Sequence, residues 1–306
     1  MTTPCYYLNV TIRGYSGELL LNGAPMVAFV PDYQAVLVRP VSEWVLQGEN
    51  VLSVRVDGGA LCEPHNEERE RRERRAAGEE VEEPQELVAP DEDLSDNTAE
   101  HDLDGPVLRV ALCEGIVGEM VEPGDERELF VLDWEPPPVP RTEEEGNPLV
   151  FPHTVSERGS LNHPWGTWAW ESAEAFDLEQ DPGTLVDILD FLRGIHDALS
   201  ANQVQPLIDA SRVNYQEVGP CYEIDPADAT DRMKQGWPKI SEPDDFALAT
   251  FDETDLDLRP CCGGRLLEAR SFGGKPFLRQ AEAIDGVTWS MPLFIGKVDG
   301  ALAVVR

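Results

Sequence analysis

Trp44-Val45-Leu46-Gln47-Gly48-Glu49-Asn50-Val51-Leu52-Ser53-Val54-Arg55-Val56 decides how the first half of the chain is read. Leu52, Val54 and Val56 alternate with Ser53 and Arg55. A period of two sends successive side chains to opposite faces, which is the pattern of a half-buried strand. Upstream, Leu8, Val10 and Ile12 alternate with Asn9, Thr11 and Arg13. Glu18–Leu21 runs into Asn22-Gly23, a strong turn signal, and Ala35–Val38 is another short β-branched run. Downstream, strand character returns at Val107–Val117 and at Glu128–Trp134. The spacing predicts an antiparallel β-sandwich over residues 1–134.

Residues 64–104 interrupt that pattern with 16 acidic and 5 basic residues, few aromatics and no apolar period. Glu67–Arg75 has the charge spacing of a short helix held by i,i+4 pairs. The remainder, with Glu79, Glu80, Glu82 and Glu83, reads as a solvated, charged insertion. Pro136-Pro137-Pro138-Val139-Pro140 and the stretch to Asn147-Pro148 are expected to be a stiff linker over 135–150.

Residues 151–306 read as helices followed by strands, which makes the chain α+β as a whole. Asp181-Pro182 is an N-cap with proline in the first turn, ahead of a stripe of Leu185, Ile188, Leu189, Leu192, Ile195 and Leu199. Pro206 opens a second helix, and Asp225-Pro226 a third that Gly236 is expected to end. From Phe246 the period drops to two, over Phe246–Phe251, Arg265–Phe272, Phe277–Gln280, Thr288–Ile295 and Leu302–Val305.

The closing element Gly48-Glu49-Asn50 and its strand resemble galactose-binding-like jelly rolls of glycosidase accessory domains, which implies a β-sandwich. Asp190–Ala210 is similar to the helical lead-in of NTF2-like cones, which implies a curved sheet with a pocket at its mouth.

The chain has 306 residues and a formal charge of −35, from 59 acidic and 24 basic side chains. Neutralising phosphate needs an excess of Lys and Arg, so this balance excludes a generic nucleic-acid binder. It also argues against docking on an anionic membrane. No apolar run has the length of a membrane span, and the first residues lack the basic and apolar regions of a secretory signal. A cytoplasmic location with six reduced cysteines is the corresponding expectation. The vicinal pair Cys261-Cys262 lacks the spacing of a metal or redox motif.

Without residues 64–104 the chain still carries −24. Between Arg158 and Arg193 there is no base, while Glu171, Glu174, Asp177, Glu179, Asp181, Asp187 and Asp190 accumulate. Between Lys239 and Arg259 there is again none, with Asp252, Glu253, Asp255 and Asp257 among the acids. Residues 259–306, in contrast, hold seven bases against four acids. Fields of this kind steer a cationic partner and reject wrong ones.

Motifs for phosphate loops, dinucleotide turns, nucleophile elbows and zinc helices are missing. No cofactor and no metal are therefore expected. Asp255 and Asp257, two apart on a strand, would share a face and could hold a divalent ion or do acid–base work, though no third ligand marks a site. His196 falls on the apolar stripe of its helix, as a core histidine does. Trp165, Trp168 and Trp170 would suit either a core-plus-interface role, where tryptophan serves as an anchor, or stacking on a sugar or base.

In overall character the chain resembles immunity proteins that neutralise secreted effectors, above all those of type VI secretion systems. That resemblance implies a non-catalytic protein with a basic toxin, such as a nuclease, as its partner. The expected contact residues are Glu171, Glu174, Asp177, Glu179, Trp168, Trp170, Asp252, Asp255 and Asp257, with Glu79, Glu80, Glu82 and Glu83 of the insertion. The alternatives are a carbohydrate-binding or carbohydrate-active protein using the three tryptophans, and a small-molecule enzyme with an NTF2-like pocket using His196 or Asp255.

Overall fold

The computed structural model describes residues 2–32, 34–79, 106–119, 127–140, 142–243, 246–284 and 288–306. Its first part contains β1 (Pro4–Arg13), β2 (Tyr15–Leu21), β3 (Ala24–Phe29), β4 (Ala35–Pro40) and β5 (Gly48–Gly59). Helix α1 (Glu63–Ala76), β6 (Val107–Ile116), β7 (Arg127–Asp133) and β8 (His153–Leu161) follow. Two four-stranded antiparallel sheets form, in the orders β4-β1-β6-β7 and β3-β2-β5-β8. Leu8, Val10, Ile12, Leu108, Val110 and Leu112 of the first sheet share one core with Leu19, Leu21, Leu52, Val54 and Val56 of the second. The period-two sets are thus the buried faces of a sandwich.

The stretch after Trp44 is organised by its asparagine. Asn50 is fully buried; its Oδ1 accepts from Leu46 N at 2.7 Å, and its Nδ2 donates to Leu46 O at 2.9 Å and Gly48 O at 3.0 Å. Every polar atom of the amide is satisfied locally, so the loop before β5 is closed by one side chain.

The sandwich runs past the expected boundary at residue 134. β8 pairs with β5 along its whole length, Val155 opposite Val54, and β7 and β8 meet where a Cβ on Gly159 would lie 2.2 Å from the Phe130 ring. Only glycine allows that approach. Residues 135–150 are consequently a strap between β7 and β8. Pro136, Pro137, Pro138, Pro140 and Pro148 remove five of its N–H donors, four of them from the run 136–140, which disfavours sheet pairing there. Side chains of α1 hold it instead: Arg72 donates to Pro140 O, Thr142 O and Gly146 O, at 2.8–3.1 Å. The charged helix is longer than the charge spacing predicts, and it is a docked element. Its buried Glu68 binds Arg71 and Arg72 at 2.5 and 2.9 Å. Desolvation works against ionised Glu68, but the two guanidinium groups outweigh it and hold its carboxyl below the usual range.

The second part contains α2 (Pro182–Ser200), α3 (Gln205–Ala210), α4 (Arg212–Cys221) and α5 (Pro226–Ile240). β9 (Leu256–Cys261), β10 (Leu266–Ser271), β11 (Leu278–Arg279), β12 (Ser290–Met291), β13 (Leu293–Val298) and β14 (Ala301–Val304) complete it. The order β14-β13-β10-β9 makes a third antiparallel sheet, and β11 pairs with β12. The expected α+β class, sandwich first and helices before strands after it, is what the chain adopts. Phe246–Phe251 forms no strand and contributes only a bridge from Leu248 to Gln280. α5 continues through Gly236 and Pro238, its buried Trp237 packed edge-on against Phe246 and Trp289.

Helix α2 lays Ile188, Leu192, Ile195 and Leu199 on one face of the third sheet, against Leu267, Ala269, Leu293 and Ile295. The opposite face meets the sandwich. Leu266 and Phe294 belong to the sandwich core, together with Cys261, Cys262 and Val305.

Candidate binding surface

Asp181 starts α2 by accepting from Thr184 N at 3.3 Å and Thr184 Oγ1 at 2.6 Å, with Pro182 in the first turn. Those two hydrogen bonds hold its exposed carboxyl below the usual range. Because the stripe Ile188–Leu199 is buried, the helical period turns Val186, Asp187, Asp190, Gly194 and Asp197 to the outside, where all are exposed. Asp252 and Glu253 come alongside from the loop before β9. Arg193, the one base among the described residues of this ridge, bridges Asp190 at 2.6 Å and Glu253, and its guanidinium lies 5.3 Å from the centre of the Phe251 ring. Three further carboxylates, Asp187, Asp197 and Asp252, share the ridge with that cation.

Most of the bases of residues 259–306 pair with carboxylates of the same chain. Arg259 pairs with Glu18 of β2 across the seam between sandwich and third sheet. Arg270 binds Asp257 at 2.7 Å, Arg306 binds Glu217 at 2.9 Å and Lys297 reaches Glu174 at 3.3 Å. Arg279 lies 3.8 Å from Asp255. Five of the seven bases in that segment are therefore tied to carboxylates, while the α2 ridge stays underneutralised.

The residues expected to contact a partner separate into groups. Glu174, Asp177, Glu179, Asp252, Asp255 and Glu79 are exposed. Of these, Asp177 accepts from Gln180 N at 3.1 Å, Asp252 is held by Thr254 and Glu79 binds Arg74 at 2.7 Å. Hydrogen bonds from the Thr254 hydroxyl and N–H hold the Asp252 carboxyl below its usual range. Glu171 is used locally, accepting from Trp168 N at 2.7 Å, and Asp257 is half-buried against Arg270. Glu80, Glu82 and Glu83 lie outside the described residues. Asp187, Asp190, Asp197 and Glu253 belong with the exposed set; their helical spacing is the signal that places the three aspartates on one face.

Trp168 and Trp170 need correcting as surface residues, since each is 2% exposed. Trp168 Nε1 donates to Val45 O at 2.7 Å, and Trp170 packs against Trp44. Trp165 and His163 stack beside Trp168 at 5.9 and 5.4 Å. Burial pushes the His163 imidazole below its ordinary range. These rings join the two parts of the chain, so the sugar-stacking platform on Trp168 and Trp170 is not present. Asp255 and Asp257 each face their own arginine, Arg279 at 3.8 Å and Arg270 at 2.7 Å. Among the described residues no three His, Cys, Asp or Glu side chains gather as metal ligands, and no disulfide joins the cysteines. The Cys261 thiol is pushed well up by its contact with Cys262 and by burial, which leaves it a poor nucleophile.

His196 donates to or accepts from nothing in a cleft; its Nε2 meets Ala249 O at 2.9 Å, and its ring lies between Phe251 and Phe277. Two shallow clefts lie on the helices. One of about 270 Å³ is lined by Asp209, Arg212, Tyr215 and Thr230, and another of about 350 Å³ by Tyr215, Met233, Gly236 and Trp237. Neither reaches His196 or Asp255. No described helix is long and apolar enough to cross a membrane. No protein-family model, curated protein or solved structure matches the chain.

Proposed function

We propose that the chain is a non-catalytic acidic binding protein that neutralises a basic protein. The class that fits is an immunity protein covering the cationic cleft of a secreted toxin, a nuclease being one such toxin, with both proteins in the cytoplasm. One observation carries this reading. Five of the seven bases of the C-terminal segment are paired with carboxylates of this chain, while Asp187, Asp190, Asp197, Asp252 and Glu253 crowd one ridge around Arg193.

The physics favours fast capture over tight static contact. Like charges held together on a folded surface cost stability, and their field accelerates encounter with a cation by roughly 10- to 1000-fold. At physiological salt the field reaches only about 8 Å, so it acts on a partner already close and orients it. An acidic ridge also resembles a phosphate backbone to a cleft built for one.

The test is association kinetics with a candidate basic toxin, sought first among the products of the neighbouring reading frames. The association rate should fall steeply as salt rises. Asp187→Asn, Asp190→Asn and Asp197→Asn together should slow it at least about tenfold, with dissociation little changed. A rate that ignores both salt and the triple substitution overturns the proposal.

A further inference from the structure

His65, in the first turn of α1, is 1% exposed, and both of its ring nitrogens are occupied by the strap. Leu149 N donates to Nδ1 at 3.2 Å, and Nε2 lies 2.9 Å from Pro137 O. A backbone N–H can only donate, and a carbonyl can only accept. Nδ1 must therefore be bare and Nε2 must carry the hydrogen. The neutral Nε2–H tautomer is the one protonation state that satisfies both contacts. An imidazolium would set two N–H groups against each other at Leu149.

The strap gives this consequence. Its prolines leave it carbonyl-rich and short of donors, so α1 supplies the donors. Arg72 grips the middle of the strap at Pro140, Thr142 and Gly146, while His65 alone spans Pro137 and Leu149, twelve residues apart in sequence. The Arg72 grip is charge-fixed, since Glu68, its carboxyl held below the usual range, binds the guanidinium at 2.9 Å. The His65 grip depends on a proton being absent.

We propose that His65 is a proton-sensitive pin, and that acidification releases the two ends of the strap from α1 while Arg72 keeps its centre attached. The charged and titratable groups on the elements around the ring are Glu63, Glu68, Arg69 and Arg72 of α1. To these are added Cys62 before it, Glu135, Glu144 and Glu145 of the strap, and His153 of β8. His153 stacks on Trp134. Among the described residues none of these groups bonds a ring nitrogen of His65; its aromatic neighbour is Phe151, at 6.3 Å. Among the described residues no carboxylate is in place to hold an imidazolium there, so protonation and the closed strap exclude each other. This device acts whether or not the acidic ridge binds a toxin.

Amide hydrogen exchange of the whole chain tests it, with rates corrected for the intrinsic effect of pH. Between pH 7.5 and 5.0 the protection of Leu149 N–H should fall at least tenfold, while that of Val54 in β5 stays level. His65→Gln, whose amide can accept from Leu149 and donate to Pro137 without titrating, should keep Leu149 protection independent of pH. Nitrogen-15 spectra of the unmutated protein give a second reading that needs no variant. They should show the Nε2–H tautomer at neutral pH and protonation of His65 in step with loss of Leu149 protection. Leu149 protection that does not change with pH, or that falls while His65 remains neutral, overturns the pin. So does an equal loss in His65→Gln.

Discussion

Asn22 Nδ2 and Asn50 Oδ1 lie 2.8 Å apart, joining the β2–β3 turn to the loop that precedes β5. The same Asn22 amide donates to Trp44 O at 2.8 Å, and its Oδ1 accepts from Val51 N at 2.8 Å. Two turn signals 28 residues apart thus form one polar knot beneath Trp44. Replacing Asn50 by Ala orphans Leu46 N and one donor of Asn22 in a partly buried setting. The expected loss is about 3 kcal/mol, read from urea unfolding. A loss within experimental error would mean that water replaces the amide.

Arg306 is the second junction. Its side chain is 2% exposed, stands 5.8 and 5.1 Å from the Trp44 and Trp168 ring centres, and binds Glu217 at 2.9 Å. Glu217→Ala strands that charge and should cost about 3 kcal/mol or more. Glu217→Leu combined with Arg306→Met removes both charges and should recover most of the loss. A double variant no better than the single one would show that the geometry of the pair, and not the stranded charge, sets the cost.

Glu18, Arg259, Glu268, Arg270 and Asp257 form a ladder of three carboxylates and two guanidinium groups at the seam. Glu268 is the surplus acid; it lies 3.9 and 3.8 Å from Arg259 and Arg270, and its Oε2 is buried without a hydrogen bond among the described residues. Burial raises its carboxyl above the ordinary range, with Glu18 and Asp257 adding to the effect and Arg270 and Arg259 opposing it. The folded state therefore holds this proton more tightly than the unfolded chain. That contribution is complete below the ordinary carboxylate range and is lost as pH rises through the folded value. Glu268→Gln should stabilise the protein at pH 7 by on the order of 1 kcal/mol, with the advantage vanishing below about pH 4. Thermal melts across that range decide it, and a variant less stable at pH 7 than at pH 4 relative to the parent would reverse the sign.

Gly194 sits mid-helix on the acidic ridge, and a Cβ built there meets nothing within 4 Å. Nothing within the fold requires glycine at this position, and it costs helix stability through backbone entropy. Gly194→Ala should raise stability by roughly 0.5–1 kcal/mol. Calorimetry on the single variant is sufficient, and a destabilised variant would point to a close contact at this face.

The period-two runs, the Asn22-Gly23 turn, the Asp181 cap and the Leu185–Leu199 stripe are short-range features, and each is legible in the sequence because neighbours along the chain create it. The same holds for the acidic run that became the α2 ridge, once helical spacing is applied to Asp187, Asp190 and Asp197. For Trp168 and Trp170 the sequence leaves a core role and a contact surface side by side, because a tryptophan beside glutamates looks alike whether its ring is wet or packed. Their burial depends on Val45, Trp44 and Phe294, from both ends of the chain.

By itself the sequence determined the α+β class, the sandwich pattern, the helix start at Asp181 and the sign of the surface. Tertiary structure alone decided that β8 completes the sandwich, that the proline segment is a strap held by α1, and that most of the C-terminal bases pair with acids of the same chain. The physical reason is reach. Periodicity, caps and turns are settled within a few residues, whereas the partner of a proline-rich carbonyl or a buried arginine is chosen by which distant segment arrives beside it.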